Sequence, residues 1–213
     1  MNLMYKIVPL HVETFEELES LLRQVDVRAD GVEIWLDELS QIPLWEEYLA
    51  GKIIDWRKIL GDKTWLLGVC KSGDPAHRIS VLKKFLQDGG DFIDLDIDQN
   101  TRAALREFPP EKLFLSFHDY ENIPKNMNEI LEQMKEVDPY VYKFAVTPHS
   151  EPEIEQFLDF INHFPEDQKA IFTTMGAIGS VGRIMIGHTG KNWAGFFALD
   201  AEHKTASGQL VLE

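Results

Sequence analysis

The chain has 213 residues, of which 44% are apolar and 27% charged, a balance typical of a large globular domain with a full core. Its formal net charge of −15 argues against nucleic acid or an anionic membrane surface as partner, because both require a basic face. The single cysteine, Cys70, excludes an intrachain disulfide and favours a reducing cytoplasm, and the apolar runs are too short to span a bilayer.

Extended apolar segments alternate with amphipathic ones along the whole chain. Two of the amphipathic segments begin with a capping-box pattern, Thr14 with Glu17 and Ser150 with Glu153, and the second has Pro152 in its first turn. The predicted strands are 6–12, 31–37, 64–70, 92–97, 112–118, 140–147, 169–175 and 193–199. The predicted helices are 14–26, 43–60, 75–88, 99–107, 123–137, 151–163 and 179–187.

This alternation predicts an α/β protein, a single-domain (β/α)8 barrel over residues 1–213. A doubly wound open sheet is the structural alternative. No glycine-rich phosphate loop follows the first predicted strand, which weakens a nucleotide-binding function. In a barrel, functional side chains gather where the strands end, at the carboxyl-terminal face.

Lys143 lies in the middle of the apolar segment VYKFAV, where an ammonium is costly unless it is paired or needed for chemistry. Strand alternation puts its side chain opposite those of Tyr142 and Phe144, so we expect it to point into the barrel. A desolvated lysine amine is a nucleophile that can form an imine with a ketone. The alternative is a lysine at an edge whose ammonium extends to water.

His118 and Ser116 share one face of the strand 112–118. The following Asp119 is a candidate for fixing the tautomer of His118, which could otherwise be a hydrogen-bonded core histidine. Glu33 lies in an apolar segment, where a buried ion pair is the alternative to a functional carboxylate. Together these residues form a candidate site with an interior lysine, a histidine and a glutamate.

Alternating carboxylates at Asp94, Asp96 and Asp98 could bind a divalent cation, but such alternation also arises at a solvated strand end. The seven histidines are scattered without zinc-binding spacing. Residue spacing alone therefore gives no predicted metal site. Cys70 is interpreted as a small buried hydrophobic residue.

Five segments in chain order together resemble the type I 3-dehydroquinate dehydratase family. They are ADGVEIWLD at 29–37, LSFHDY at 115–120 followed by Ile123-Pro124, YKFAVTP at 142–148, TMGAIGSVGR at 174–183 and ASGQ at 206–209. The resemblance covers nearly the whole chain. It implies a (β/α)8 barrel, a homodimer without metal or organic cofactor, and 3-dehydroquinate as the small-molecule substrate.

The resemblance also implies residue roles. Lys143 would form an imine with the C3 ketone, and His118 would remove the C2 proton and then protonate the departing C1 hydroxyl. Glu33 would hold or polarise His118 or the substrate hydroxyls. Arg183 would clamp the substrate carboxylate with its planar fork. Further expected substrate contacts are Met175, Ser116, Gln209 with Thr205 or Ser207 in a closing carboxyl-terminal loop, and either Phe196 or Phe197.

The chain departs from the family pattern at several positions. Trp35 stands where the family commonly has an arginine, and Lys71 replaces a second arginine, so both are expected at the substrate with altered contacts. Asp74 is a candidate for a family glutamate, and Gly182 replaces a serine before Arg183. Two alternatives therefore remain: another Schiff-base barrel lyase or aldolase acting on a related keto acid, and a non-catalytic barrel paralogue.

Overall fold

The computed structural model describes residues 4–25, 27–98, 102 and 104–212. Strands and helices alternate along these ranges, and each of the eight predicted strands is present with its ends shifted by at most two residues. The strands are β1 (Tyr5–Leu10), β2 (Gly31–Trp35), β3 (Trp65–Val69), β4 (Phe92–Asp96), β5 (Leu113–Asp119), β6 (Val141–Val146), β7 (Ala170–Thr174), β8 (Ala194–Ala198) and the short β9 (Leu210–Val211). The helices are α1 (Phe15–Leu22), α2 (Trp45–Leu60), α3 (Pro75–Gln87), α4 (Met127–Lys135), α5 (Glu151–Asn162) and α6 (Gly179–Thr189).

The described residues group into two compact units whose segments interleave along the chain. The β1–β4 unit consists of 6–95, 197–205 and the described residues after 210. The β5–β7 unit consists of the described residues within 4–5, 96–196 and 206–210. One domain over residues 1–213 stays a prediction.

In the β1–β4 unit, four parallel strands lie in chain order, with Val8 beside Val32 and Glu33 beside Leu67. Strand neighbours that follow the sequence leave no reversal of strand order within this unit, which argues against a doubly wound sheet. Helix α1 begins at Thr14, whose Oγ1 accepts a hydrogen bond from the backbone N–H of Glu17 at 3.1 Å. Helices α1 and α2 pack through their apolar faces, where the ring centroids of Phe15 and Trp56 lie 6.2 Å apart.

In the β5–β7 unit, the parallel strands β5, β6 and β7 are adjacent, and Lys143 lies between Ser116 and Ile171. One face of these strands carries aromatic rings that pack together. The rings that form this aromatic cluster belong to Phe144, Phe157, Phe160, Phe164 and Phe172. Burial of apolar surface contributes about 25 cal/mol per Å², so the packing of these rings stabilises the unit.

Four predictions about local structure need correction, the first being the end of the predicted helix 14–26, since α1 ends at Leu22. The described end of the predicted helix 99–107 is a 3-10 helix (Ala104–Glu107), while 99–101 and 103 lie outside the described residues. Helix α4 begins at Met127 rather than 123, because Pro124 disfavours a helical residue before it. In α5 the side chain of Ser150 makes no cap hydrogen bond, and Glu153 accepts instead from the N–H of His149 at 2.7 Å.

Candidate functional site

Lys143 leaves β6 on the face opposite to the aromatic cluster. Its neighbour in sequence Phe144 packs against Phe160 and Phe172, and alternation along the strand turns Lys143 the other way. Only 6% of Lys143 is exposed, and its Nζ lies 4.2 Å from the centroid of the Phe196 ring. A cation over an aromatic face is stabilised by about 0.5–2 kcal/mol, so Phe196 offsets part of the cost of burying this ammonium.

His118 lies near the end of β5, on the same face of the strands as Lys143. The register pairs Lys143 with Ser116 and Ala145 with His118, which places the lysine and the histidine one diagonal step apart on adjacent strands. The Nδ1 atom of His118 lies 2.5 Å from Oδ1 of Asp96, and Ser116 Oγ donates to the same oxygen at 2.8 Å. A carboxylate therefore holds the histidine from the side of Nδ1.

The predicted neighbour of His118, Asp119, has a different role. Its Oδ1 accepts from the backbone N–H groups of Glu121 and Asn122 at 2.9 and 2.8 Å, which closes the turn after β5. The ring of Tyr120 stacks on the imidazole of His118 at 5.7 Å with an interplanar angle of 12°. The histidine is thus covered by an exposed tyrosine and positioned by a carboxylate from β4.

Arg183 in α6 is half-buried and is held by backbone carbonyls. Its Nε donates to the carbonyl of Thr174 at 2.9 Å, and its Nη1 donates to the carbonyl of Phe196 at 3.3 Å. Burial lowers the pKa of the Arg183 guanidinium to about 10, which leaves it cationic at neutral pH. Met175, directly after β7, is buried and donates its backbone N–H to Val146 at 2.8 Å.

The predicted closing loop contains a tight turn against the start of α6. Gly208 has a φ of +79°, and a Cβ there would come within 2.9 Å of the backbone nitrogen of Ser180. Gln209 is 3% exposed and donates its backbone N–H to Ala206 at 3.3 Å, whereas Ser207 is exposed. Of the two residues predicted to share this loop with Gln209, Ser207 belongs to the β5–β7 unit and Thr205 to the β1–β4 unit, where it is half-buried.

In the β1–β4 unit, Trp35 and Lys71, which replace family arginines, each contact a carboxylate. Trp35 Nε1 donates to Oε2 of the buried Glu33 at 3.2 Å, and the Trp35 ring lies 5.0 Å from that of His11. Lys71 Nζ lies 3.4 Å from Oδ1 of Asp94, which is buried. Glu33 therefore meets an indole rather than a guanidinium, and Lys71 forms a partly buried ion pair.

The β1–β4 unit also contains Asp74, a candidate for a family glutamate, and Cys70, predicted to be a buried hydrophobic residue. Asp74 is exposed and caps α3, since its Oδ1 accepts from the N–H of His77 at 2.9 Å. Cys70 is 2% exposed, and burial raises the pKa of its thiol to about 12, as expected for a buried hydrophobic residue. Asp37, also buried, accepts from the backbone N–H of Lys71 at 2.8 Å and so fixes the end of β3.

Sequence reasoning missed the role of Asp96. The alternation of Asp94, Asp96 and Asp98 was a visible signal, but it was interpreted as a candidate cation site. Asp94 instead pairs with Lys71, and Asp96 accepts from His118 and Ser116. Within the described ranges, no three His, Cys, Asp or Glu side chains are grouped so as to hold a metal ion. None of the helices there combines the length with the apolar character that a transmembrane span requires.

Comparison with known proteins gives one family. The sequence model of the type I 3-dehydroquinase family matches residues 7–213. A 3-dehydroquinate dehydratase from Streptococcus pneumoniae (strain Hungary19A-6) is 30% identical over 141 residues, which cover 64% of this chain and 60% of that protein. That from strain CGSP14 is 31% identical over 144 residues, with 65% and 62% covered. The chain therefore aligns with less than two thirds of the length of these relatives.

Solved structures share the fold. The 3-dehydroquinate dehydratase from Geobacillus kaustophilus HTA426 superposes with a TM-score of 0.84 at 17% identity, covering 99% of this chain and 87% of that one. The type I 3-dehydroquinate dehydratase from Clostridium difficile, solved with covalently modified comenic acid, gives a TM-score of 0.82 at 20% identity, with 98% and 88% covered. These likenesses confirm the α/β class of the predicted (β/α)8 barrel.

Proposed function

The chain belongs to the type I 3-dehydroquinase family, and on that premise we propose that it dehydrates 3-dehydroquinate to 3-dehydroshikimate, a step of the shikimate pathway. The observation that carries the proposal is the placement of Lys143 and His118 on one face of adjacent strands. Lys143 is buried over an aromatic ring, and His118 is held by a carboxylate through Nδ1. An amine nucleophile beside a positioned base is what imine-assisted elimination requires.

The proposed reaction begins at Lys143. The Lys143 ammonium first releases a proton, its neutral amine attacks the C3 carbonyl carbon of the substrate, and the resulting carbinolamine takes up one proton and loses one water to give a protonated imine. This imine withdraws electrons from C2 and so acidifies the C2–H bond. Nε2 of His118 accepts that proton, and the electron pair moves to form an enamine.

Elimination and release complete the cycle. The enamine expels the C1 hydroxyl, which leaves as water with the proton that His118 returns, and the protonated imine reforms. A second water hydrolyses this protonated imine, which frees the product and returns Lys143 to the ammonium form. Since imine formation releases one water and hydrolysis consumes one, the net change is substrate to product plus one water.

The other site residues enter the proposal through their chemistry. Arg183 would bind the substrate carboxylate with the guanidinium N–H groups that do not contact Thr174 and Phe196. Met175, Ser116 and Gln209 are proposed substrate contacts in the β5–β7 unit. For the β1–β4 unit we propose that Trp35, Lys71 and Thr205 are substrate contacts and that Glu33 is a catalytic carboxylate, as the family resemblance implies.

Borohydride trapping tests the imine. Reduction in the presence of 3-dehydroquinate should attach the ligand to Lys143 irreversibly, and peptide mass spectrometry should find the adduct on the fragment containing that residue. Lys143→Ala should form no adduct and should lose at least about 10⁴-fold in kcat, because an enzyme of this kind depends on its covalent step for a large part of its acceleration.

Lys169→Ala is the matched control. Lys169 also lies over an aromatic ring, with its Nζ 3.5 Å from the centroid of Tyr140, but it precedes β7 at the amino-terminal end of the strand. This control should retain both the adduct and turnover. Unmodified, fully active protein after reduction would exclude the imine mechanism.

A second candidate is another Schiff-base reaction on a related keto acid. It is favoured by Trp35 and Lys71, which stand at two positions where the family commonly has arginines. Trp35 contacts Glu33, and Lys71 contacts Asp94. An adduct on Lys143 with other keto acids, together with no enone absorbance from 3-dehydroquinate, would support this candidate over the first.

A further inference from the structure

Asp96 contacts the proposed base and belongs to none of the residues that the family resemblance singled out. We propose that Asp96 is a positioning residue that fixes the tautomer and orientation of His118, with Ser116 holding the carboxylate in place. The inference rests on the proposed function for its catalytic consequence. Its structural content stands on three side chains of the β5–β7 unit and the hydrogen bonds between them.

The hydrogen bond between Asp96 and His118 determines which imidazole nitrogen carries the proton. An ionised carboxylate can only accept hydrogen bonds, so Nδ1 of His118, 2.5 Å from Oδ1 of Asp96, must be the donor. In the neutral imidazole, a proton on Nδ1 leaves the lone pair on Nε2. Nε2 is therefore the atom that can accept a proton from a substrate.

Ser116 restrains the carboxylate from a second direction. Its Oγ donates to Oδ1 of Asp96 at 2.8 Å, and the serine is fully buried. The backbone adds a third restraint, because the N–H of Ile97 donates to the carbonyl of Ser116 at 2.7 Å and ties the end of β4 to β5. Asp96 thus presents one oxygen to two donors on the same strand, Ser116 and His118, which lie two residues apart.

The arrangement is suited to a histidine that gains and returns a proton. When Nε2 takes up a proton the imidazole becomes cationic, and a carboxylate at hydrogen-bond distance stabilises that charge. The side chains of His118 and Asp96 are 12% and 21% exposed, so water screens their interaction only in part. The same carboxylate that fixes the tautomer therefore also stabilises the charged intermediate.

Kinetics of four variants test the catalytic consequence. Asp96→Asn should lower kcat by about 10- to 100-fold with little change in KM, because supporting carboxylates of this kind act through the residue that they orient. Asp96→Glu should recover most of the lost kcat, since it restores the carboxylate. Ser116→Ala should lower kcat less than Asp96→Asn does. Asp98→Asn removes an equal charge two residues along the chain and should leave kcat unchanged.

Nitrogen NMR of histidine-labelled protein tests the structural content without turnover. The signals of His118 are those that are absent from the spectrum of His118→Gln. In the wild type they should report the Nδ1–H tautomer. Asp96→Asn should shift these signals and Asp98→Asn should not. A merely structural role for Asp96 would reduce the folded fraction without changing the tautomer of the folded protein.

The outcomes separate the two proposals. An inactive, folded wild type would overturn the proposed function, and the NMR signature would still report whether Asp96 fixes the tautomer. An active wild type with the Nε2–H tautomer, or with full kcat in Asp96→Asn, would overturn the role of Asp96 alone. If Asp96→Asn does not fold, the wild-type tautomer and the kcat of Ser116→Ala decide the matter.

Discussion

A buried ammonium costs several kcal/mol unless its surroundings compensate, and the surroundings of Lys143 include an aromatic ring that faces its Nζ. The neighbouring His118 is held by Asp96 and covered by Tyr120. At the scale of single residues, the side chains of Lys143 and His118 each have contacts that restrain their orientation. Such restraint is what a reacting group requires, because misplacement by about 1 Å can cost about 10²-fold in rate.

His118→Ala separates imine formation from elimination. The variant should still form the borohydride adduct, since the amine of Lys143 and the ketone remain, but kcat should fall by about 10²- to 10⁴-fold without the base. Steady-state kinetics and mass spectrometry on the same preparation measure the two effects. Near-normal turnover in this variant would mean that another group removes the C2 proton.

Cys70 is predicted to be unreactive in the folded protein. Its thiol has a usual pKa of 9.0, which burial raises to about 12, so the thiolate that reacts with disulfide reagents is scarce at pH 8. Because the pKa of Cys70 is higher in the folded than in the unfolded protein, burial of the neutral thiol does not reduce the free energy of unfolding below pH 9. That free energy falls as the pH rises from 9 toward 12. Labelling should be slow in buffer and fast in denaturant; equal rates would contradict the burial.

At the scale of elements, the contact between α6 and β7 explains a departure from the family pattern. A Cβ at Gly182 would lie 2.4 Å from Oγ1 of Thr174, so the helix approaches the strand too closely for a larger residue. The same Thr174 donates from Oγ1 to the carbonyl of Gly179 at 2.8 Å and accepts from Arg183 Nε. Close packing at Gly182 therefore determines where Arg183 lies.

Gly182→Ala should destabilise the protein by about 1–3 kcal/mol through overpacking against Thr174. It should also raise KM, because the shift of α6 moves Arg183. Gly187→Ala in the same helix is the matched control: a Cβ there meets nothing within 4 Å, and alanine should stabilise the helix by about 0.5–1 kcal/mol. Denaturant unfolding measures the free energy of unfolding of both variants. If Gly182→Ala were as stable as Gly187→Ala, the packing argument would be wrong.

At the scale of the whole molecule, the net charge of −15 opposes the approach of an anionic substrate. The proposed carboxylate contact, Arg183, is half-buried and is therefore screened by salt less than the surface charges are. The homodimer, the cytoplasmic location and the single domain over residues 1–213 stay predictions, because they concern properties beyond the contacts within each unit.

Salt should therefore increase the efficiency of the enzyme. Raising the ionic strength from about 0.01 M to about 0.1 M shortens the Debye length from about 30 to about 10 Å, and kcat/KM should rise severalfold as long-range repulsion is screened. A zwitterionic osmolyte at the same concentration is the control and should have no such effect. A steady fall of kcat/KM with salt would show that local ion pairing outweighs the global charge.

Local patterns in the sequence were sufficient to predict most of the fold and part of the candidate site. Each predicted strand is present, because strand and helix periods are properties of neighbouring residues. Alternation within β6 was sufficient to orient Lys143 relative to Phe144. The predictions that needed correction concern helix ends, such as the start of α4 at Met127, or side-chain choices that several local arrangements satisfy equally well, such as the cap by Ser150.

The sequence by itself determined the order of elements, the family and the face of Lys143, since these depend on spacing along the chain. Only the tertiary structure decided which carboxylate holds His118, because Asp96 and Asp119 were both within reach of it in principle and Asp96 is 22 residues away. It likewise selected Phe196 as the ring beneath Lys143. Partner choice depends on strand register and packing between distant segments, which periodicity does not encode.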